Sequence, residues 1–445
     1  MQESLNAARV LMGDSLGFHI IFVLFGLTLP ILVVWFEWLG IRTKNKKYTD
    51  TAKFWSKIMA LLVITGVISG TVVALQMSLV WPGILKFGGE VIGLPFMLET
   101  YFFLIEATFL GLYMLTWDNK KVPPMLHLFF GVMVAFGANA SAFVITSVNA
   151  WMNNPTGFEL VDGKFQHVEP VGAMFSQTSL VQFVHSMPAY YFAASTAIVG
   201  LYAAKLLRAK YKDRMSARHA FDWVIVKRLM LFAAVMLVAL FITADITGKY
   251  LAKHEPSKLA ALELTYETDT NVPLVVGGVA SGDESIAGPH FKIPNGLSVL
   301  AGNSPGTEVK GLNEFAKSVQ PPLYIHTLFD IKMTIITFLA VAIPAYFAMR
   351  KWKPEWLTQR WALFIMAAGG WLGIVLVELG WMITEIGRQP WAVRGYVTTS
   401  QALTTHDVRA FGWIFPTAYV ALGVVTVLAL RKIVVAQNQK GKGGR

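Results

Sequence analysis

Apolar runs of about 20 residues or more recur along the whole of this 445-residue chain. A run of that length is what an α-helix needs to cross the ~30 Å hydrocarbon core of a bilayer. The chain is 55% hydrophobic with a mean hydropathy of +0.52, so it carries more apolar surface than one soluble core can bury. The sequence therefore predicts an all-α polytopic membrane protein.

Nine of these runs are separated by polar segments, and each is predicted to form one transmembrane helix. The predicted spans are residues 15–40, 54–81, 95–117, 124–151, 175–205, 223–250, 321–350, 360–386 and 408–432.

The basic residues predict how these spans are oriented. Of the 38 Lys and Arg, 25 fall in one alternate set of connecting segments and 12 in the other, while Lys332 lies within a span. The positive-inside rule then places the N-terminus outside and the C-terminus in the cytoplasm. The sequence divides into 1–250 with six spans, a long outer loop at 251–320, 321–432 with three spans, and a basic cytoplasmic tail at 433–445.

The chain contains no cysteine, which excludes disulfides, iron–sulfur clusters, thiolate-ligated haem and covalent haem attachment through Cys-x-x-Cys-His. Any metal must be held by His, Met or a carboxylate. The net charge of +11 does not indicate nucleic-acid binding, because the basic residues flank apolar spans, where orientation signals lie.

Four side chains within the spans can ligate iron, namely His19, His185, Met333 and Glu378. Taken singly, a histidine in a span often serves as an interhelical hydrogen-bonding residue, and a methionine usually fills the core. The predicted topology, however, places all four in the outer half of the membrane. Clustering at one depth favours a shared iron site. Bound iron would offset the cost of burying a carboxylate such as Glu378.

The third and fourth spans carry further polar groups. Glu99 and Glu106 are seven residues apart, which puts both on one helical face. Burying both without a use would be costly, so they indicate a proton path or the surroundings of a cationic cofactor. In the fourth span Gly137 and Ser141 permit close helix packing, and Asn149 can relay hydrogen bonds.

The long outer loop opens with the segment KLAALE, which contains Lys258 and Glu263. A surface ion pair between these two residues is the simplest interpretation of the segment. The eighth span ends in the tract GRQPW, which contains Arg388 and Trp391.

Together these features resemble subunit I of the cytochrome bd family of quinol oxidases over essentially the whole chain. The tract ELGWMITEIGRQPW at 378–391 is similar to the family signature, GW followed by ExGRQPW. The other matches are His19, FVH at 183–185, the glutamate pair of span three, VNAWMNNP at 148–155, and KLAALE, which corresponds to the quinol-binding loop. The short outer loop is similar to that of the short-loop members.

The resemblance implies that His185 and Met333 are the axial ligands of a low-spin haem b. It implies that His19 and Glu378 hold two high-spin haems, one a haem b and the other a haem d or a third haem b. Glu99 and Glu106 would pair with that centre or deliver protons.

The resemblance also implies roles for the outer groups. Lys258 and Glu263 would act at the quinol site, and Arg388, with Trp391 in the same tract, would lie beside a haem edge. Protons would travel from the cytoplasm past Glu106, Glu99, Ser141 and Asn149.

The chain departs from the family pattern in two places. Where the family commonly has Arg-x-Met in span seven, this chain has FDIKMTI, with Lys332 directly before Met333. The tryptophan often found four residues before the glutamate of span eight is Ile374 here, with Trp371 one turn earlier.

The implied function is oxidation of quinol at the outer face and reduction of dioxygen to water, with proton uptake from the cytoplasm and no pumping. The implied setting is a bacterial or archaeal cytoplasmic membrane, with a second membrane subunit and a small single-span subunit as partners. A proton-coupled transporter and a haem-binding anchor that passes electrons without reducing oxygen are the alternatives.

Overall fold

The fold was analysed in a computed structural model, which describes residues 2–216, 219–282, 284–405, 407–408 and 411–443. Helices dominate it. In chain order they are α1 (Gln2–Thr43), α2 (Lys46–Leu79), α3 (Pro82–Thr116), α4 (Pro124–Asn153), α5 (Pro170–Met174), α6 (Gln177–Arg208), α7 (Ala220–His254), α8 (Pro256–Glu263), α9 (Gly296–Gly302), α10 (Ile325–Trp352), α11 (Arg360–Ile386), α12 (Thr399–Ala402) and α13 (Phe411–Gly443).

Within the described residues, nine helices are long and apolar enough to cross a membrane, as predicted. Several continue past the apolar run that marked them. Helix α1 begins at Gln2 instead of residue 15, and α13 extends to Gly443, through most of the basic tail. The predicted start of the ninth span, at 408–410, lies partly outside the described residues. Helical hydrogen bonding continues in water, whereas the bilayer requires only the apolar part.

Three short antiparallel hairpins lie between the helices. Strand β1 (Glu159–Val161) pairs with β2 (Lys164–Gln166), β3 (Leu274–Ala280) with β4 (Ile286–Ile293), and β5 (Trp391–Val393) with β6 (Val397–Thr398). The β3–β4 register shifts between Gly277 and Val279, which marks a bulge. Gly277 has φ +84°, a conformation that glycine adopts without strain.

The chain forms two compact units. The first consists of Met1–Asn149, Thr156–Ser176 and Ser400–Arg445, and the second of Ala150–Pro155 and Gln177–Thr399. His19, Glu99, Glu106, Ser141 and Asn149 belong to the first unit. His185, Met333, Glu378, Arg388, Trp391, Lys258 and Glu263 belong to the second.

In the second unit, α6 and α11 meet along a seam of glycines. A Cβ atom added at Gly200 would lie 3.1 Å from the Cα atom of Gly370, and one added at Gly370 would lie 3.1 Å from the Cα atom of Gly200. A Cβ atom at Gly373 would lie 2.4 Å from the Thr196 hydroxyl. Glycine is therefore what lets these two helices approach at backbone distance.

Candidate functional site

His185 on α6 is oriented by α7. Its Nδ1 atom lies 3.0 Å from the hydroxyl of Thr243. That hydroxyl donates its own hydrogen to the carbonyl of Ala239 at 2.9 Å, so it must accept from the imidazole. His185 then carries its proton on Nδ1 and presents the lone pair of Nε2, which is how a histidine is prepared to bind a metal.

His19 on α1 has the same arrangement in the first unit. Its Nδ1 atom lies 2.9 Å from the Ser69 hydroxyl, which donates to backbone carbonyls of α2. A Cβ atom at Gly70 would lie 2.9 Å from the ring, so glycine gives the imidazole room beside α2. His19 therefore also presents Nε2 as the free lone pair.

Met333 on α10 is 40% exposed, so its thioether is not filling the packed core. The neighbouring Lys332 places its ammonium 5.8 Å from the centre of the Phe329 ring. Met333 and His185 both belong to the second unit.

Helix α11 carries two carboxylates, Glu378 and Glu385. Glu378 is half-buried, and its Oε1 atom is enclosed with no hydrogen-bond partner among the described residues. Glu385 accepts a hydrogen bond of 2.6 Å from Nη2 of Arg388. Glu378 therefore has an oxygen available to ligate a metal, whereas the charge of Glu385 is already compensated by Arg388.

Glu385 was missed in the sequence, although a signal for it was present. Trp381 stands four residues before Glu385, so the tryptophan–glutamate spacing that is absent at Ile374 occurs one heptad later. The indole of Trp381 donates a 2.6 Å hydrogen bond to the hydroxyl of Tyr190 on α6. Glu385 is thus a second candidate for the carboxylate of span eight.

Arg388 is a buried arginine whose guanidinium is only partly hydrogen-bonded. Its Nη2 atom binds Glu385, while its Nε and Nη1 atoms are enclosed without a partner among the described residues. Trp391, three residues later, is half-buried at the start of β5. Buried guanidinium donors without partners suit a planar anion such as a haem propionate.

Glu99 and Glu106 both lie on α3, the first half-buried and the second buried. Helix α4 approaches α3 closely at this level, since a Cβ atom at Gly137 would lie 2.8 Å from the backbone nitrogen of Glu106. Ser141, one turn beyond Gly137, and Asn149 are half-buried on the same helix. The close packing predicted for Gly137 is therefore found.

A buried network near the other end of these helices was missed in the sequence. Glu37 accepts a 2.5 Å hydrogen bond from the hydroxyl of Tyr113 and lies 2.6 Å from Nδ1 of His127. It joins α1, α3 and α4. The signal was the same one that drew attention to Glu378, a carboxylate within an apolar run.

Helix α8 holds Lys258 and Glu263, and both are buried, with 4% and 1% of their surfaces exposed. The surface ion pair expected between them is wrong, because Lys258 binds Glu255 instead, with 3.2 Å between Nζ and Oε2. A spacing of five residues puts two side chains on different faces of a helix, whereas Glu255 is the N-cap residue of α8 and lies within one turn of Lys258.

Glu255 holds two cations. Besides Lys258 it binds Nη2 of Arg394, which follows β5, at 3.0 Å. Burial lowers the pKa of Lys258 and of Arg394, and the carboxylate of Glu255 acts in the opposite direction on both. Lys258 also packs beside the GRQPW tract, since a Cβ atom at Gly387 would lie 2.6 Å from its Cε atom.

Glu263 ends α8 in a largely apolar setting. Neither carboxyl oxygen makes a well-formed hydrogen bond with a described residue. Burial raises the pKa of this carboxyl to about 8, and the charge of Asp330 adds to the effect, while the nearby amide of Val275 lowers it by less. Glu263 is therefore protonated at neutral pH, and as a neutral acid it can donate a hydrogen bond.

This protonation predicts a pH dependence. The folded pKa of Glu263 lies above its ordinary value of 4.5, so its contribution to stability is complete below about 4.5 and is lost as the pH rises through about 8. We expect the free energy of unfolding to fall between pH 7 and pH 9, because a charge then forms on a buried group. The Glu263→Gln variant should give a flat profile, and an equally steep profile in the variant would contradict this origin.

Among the residues that the structure describes, no three His, Asp or Glu side chains converge as a metal-binding cluster. Haem iron needs only one or two protein ligands, since the porphyrin supplies four nitrogens. Single histidines that present Nε2, as His19 and His185 do, fit that requirement.

Comparison with known proteins identifies the family of this chain. Residues 7–438 match the family model for cytochrome bd terminal oxidase subunit I. The chain belongs to that family.

Individual relatives match over almost their full lengths. A putative cytochrome bd menaquinol oxidase subunit I of Bacillus subtilis is 32% identical, with 96% of each chain covered. Subunit 1 of the Escherichia coli cytochrome bd-II ubiquinol oxidase is 24% identical, with 95% of this chain and 93% of that one covered. The bd oxidase structure from Geobacillus thermodenitrificans superposes with a TM-score of 0.90 at 34% identity, covering 97% of this chain and 98% of that one.

Proposed function

We propose that this chain is the haem-bearing subunit of a quinol oxidase that oxidises two quinols and reduces one dioxygen to two waters. The observation that supports this best is the shared preparation of His19 and His185. Each donates Nδ1–H to a hydroxyl and keeps Nε2 as a lone pair for iron.

His185 and Met333 are the proposed axial ligands of a low-spin haem b. His19 and a carboxylate of α11 are the proposed ligands of two high-spin haems, a haem b and a haem d or third haem b. The haems would supply electron transfer and oxygen reduction, while the protein provides ligation, orientation and charge. For the carboxylate, the enclosed oxygen favours Glu378, and the spacing to Trp381 favours Glu385.

Arg388 and Trp391 are proposed to lie along a haem edge. The two unpartnered donors of the guanidinium would bind a propionate, and the bond to Glu385 would fix its direction. This gives the GRQPW tract a role as a junction between the haems and the outer loop.

The quinol site is proposed to involve Lys258 and Glu263 in the loop at 251–320. Because both side chains are buried, we infer that Glu263 meets the quinol through its protonated carboxyl. Lys258, which is bound to Glu255, would set the electrostatics of the site and shape the loop.

Protons for oxygen reduction are proposed to enter from the cytoplasm past Glu106, Glu99, Ser141 and Asn149. Quinol protons would leave on the outer side. With the electron donor and the acceptor in the outer half of the membrane, proton uptake alone would separate charge, at about 2.3 kcal/mol per charge per 100 mV. This generates a proton motive force without pumping.

The proton route predicts a defect in the Glu106→Gln variant. We expect turnover to fall at least ten-fold, because the buried group that can carry a proton on α3 is replaced by one that cannot. Generation of membrane potential in proteoliposomes should fall in proportion. Glu90→Gln is the matched control, because Glu90 is an exposed carboxylate on the same helix. If Glu106→Gln retained full turnover and full potential, the route would be wrong.

The function itself is tested by the absorption spectrum of the purified, dithionite-reduced oxidase with and without carbon monoxide. We expect a low-spin haem b signal, a carbon monoxide response from a high-spin haem, and quinol-dependent oxygen consumption. Absence of haem would favour the transporter alternative. Haem without a carbon monoxide response would favour the electron-passing anchor, and absorption in the red region would assign a haem d.

The proposed setting is the cytoplasmic membrane of a bacterium or archaeon, with the N-terminus outside and the tail at 433–445 inside. The proposed partners are a second membrane subunit and a small single-span subunit. In the proposed organisation, residues 1–250 form spans that carry haem ligands, residues 251–320 form the quinol loop, and residues 321–432 form three further spans.

A further inference from the structure

His326 is a fully buried histidine that the proposed mechanism does not use. It lies in the first turn of α10, with 0% of its surface exposed. Its Nδ1 atom lies 2.6 Å from the carbonyl oxygen of Leu262. Its Nε2 atom lies 3.1 Å from the carbonyl oxygen of Gly277 and 3.2 Å from Oδ2 of Asp330.

These contacts determine the charge of the ring. Carbonyl and carboxylate oxygens near a histidine can only accept, so both nitrogens must carry a hydrogen. A ring with both hydrogens is an imidazolium. Asp330, one turn further along α10, supplies the compensating negative charge, and its Oδ2 atom also accepts from the amide of Gly277 at 2.7 Å. Unpaired, such a buried charge would cost several kcal/mol.

We propose that the imidazolium of His326, paired with Asp330, is a clamp that positions the quinol segment of the outer loop against α10. The clamp binds the loop at two points. One is the carbonyl of Leu262, next to Glu263 at the end of α8, and the other is Gly277, whose amide and carbonyl are both bound at the bulge of β3. This proposal rests on the proposed quinol oxidase function.

The position of the clamp on α10 gives it a functional consequence. Met333 is seven residues beyond His326 and therefore lies on the same helical face, about 10 Å along the axis. The helix that holds the quinol segment is thus the one proposed to supply a ligand of the electron-accepting haem. His326 is a positioning residue that fixes the segment relative to that helix.

The clamp lies among titratable groups of α8 and α10. Asp330 lies on α10 with His326, and Glu263 is held neutral on α8 at pH 7 by burial and by Asp330. Lys258 lies on the same short helix but is bound to Glu255. The segment packs around Leu262 in a core that includes Ala261, Leu312, Ile325 and Ile383, so the clamp adds directed bonds to an apolar contact.

The test compares His326→Phe with His290→Phe. Phenylalanine keeps an aromatic ring and removes both donors. His290 is an exposed histidine on β4, the strand that pairs with β3. We expect His326→Phe to raise the KM for quinol at least ten-fold while kcat at saturating quinol and dithionite-reduced haem content stay near wild type. Protease cleavage within 264–320 should accelerate, and His290→Phe should match wild type in every measurement. Unchanged KM and cleavage in His326→Phe would overturn the clamp.

Two further measurements keep the proposal testable if His326→Phe does not accumulate. Asp330→Asn removes the counter-charge but retains an oxygen for the Gly277 amide, so we expect a smaller rise in KM and in cleavage. In ¹⁵N-histidine-labelled wild-type oxidase at pH 8, where a free imidazole is neutral, we expect at least one ring to keep imidazolium shifts, and the absence of such a ring would overturn the charged clamp. Protease cleavage and the charge of the ring can be measured whether or not the protein oxidises quinol. A failure of the proposed function would therefore be distinguished from a failure of the clamp.

Discussion

We expect glutamine substitution at one of the two carboxylates of α11 to remove one of the proposed high-spin haems, and the same change at the other to leave it in place. If Glu378 is the ligand, Glu378→Gln should lose the carbon monoxide-sensitive centre and reduce oxygen consumption by at least a hundred-fold, because an amide does not replace an anionic ligand. Glu385→Gln should then keep its haems. The reverse result would assign the ligand to Glu385, as the spacing to Trp381 favours.

Haem content by pyridine haemochrome assay and the reduced-minus-oxidised spectrum measure this difference. The two variants control for each other, since both remove one carboxylate from the same helix. Equal haem content in both variants and in the wild type would exclude α11 as the source of the ligand. Glu385→Gln should in addition disturb Arg388, whose Nη2 atom loses its acceptor.

The Glu255→Gln variant should show the largest loss of stability. Removing this charge leaves Lys258 and Arg394 buried without their anion, which typically costs about 3–5 kcal/mol. We expect that decrease in the free energy of unfolding in an SDS titration of the purified oxidase. Glu284→Gln is the control, because Glu284 forms an exposed ion pair with Lys317 in the same loop, worth at most about 1 kcal/mol.

The deficit of Glu255→Gln should also depend on pH. Burial already lowers the pKa of Lys258, and the variant removes the neighbour that raises it. A base with a lowered folded pKa gains stability as the pH rises, because the folded state releases the proton more readily than the unfolded state. The deficit should therefore shrink at alkaline pH, and a deficit that grew with pH would contradict the role given to Lys258.

The spans could be predicted from the sequence because the bilayer imposes a length and a polarity on each one. The ends of α1 and α13 could not, since nothing in water stops a helix of good helix formers at the membrane surface. His19 and His185 could be selected by residue type and depth. Their protonation could not, because Ser69 and Thr243 are 50 and 58 residues away along the chain.

The loop shows where sequence reasoning failed. Lys258 has two acidic neighbours, Glu255 and Glu263, and only the fold decides which one it meets. The bond to Arg394 joins residues 139 positions apart. For His326 the local signal was limited to Asp330 one turn later, because its other partners are a carbonyl on α8 and another on β3. A buried polar group is defined by the atoms around it, and those come from distant parts of the chain.

The glycine seam between α6 and α11 has a consequence for how fast the protein can work. The helix with His185 and the helix with Glu378 and Glu385 are held at backbone contact by Gly200, Gly370 and Gly373. Electron tunnelling slows steeply with separation, and two of the three proposed haems would each take a ligand from one of these two helices. Gly200, Gly370 and Gly373 would thereby help to set the distance between those two haems, and with it the rate of electron transfer from one to the other.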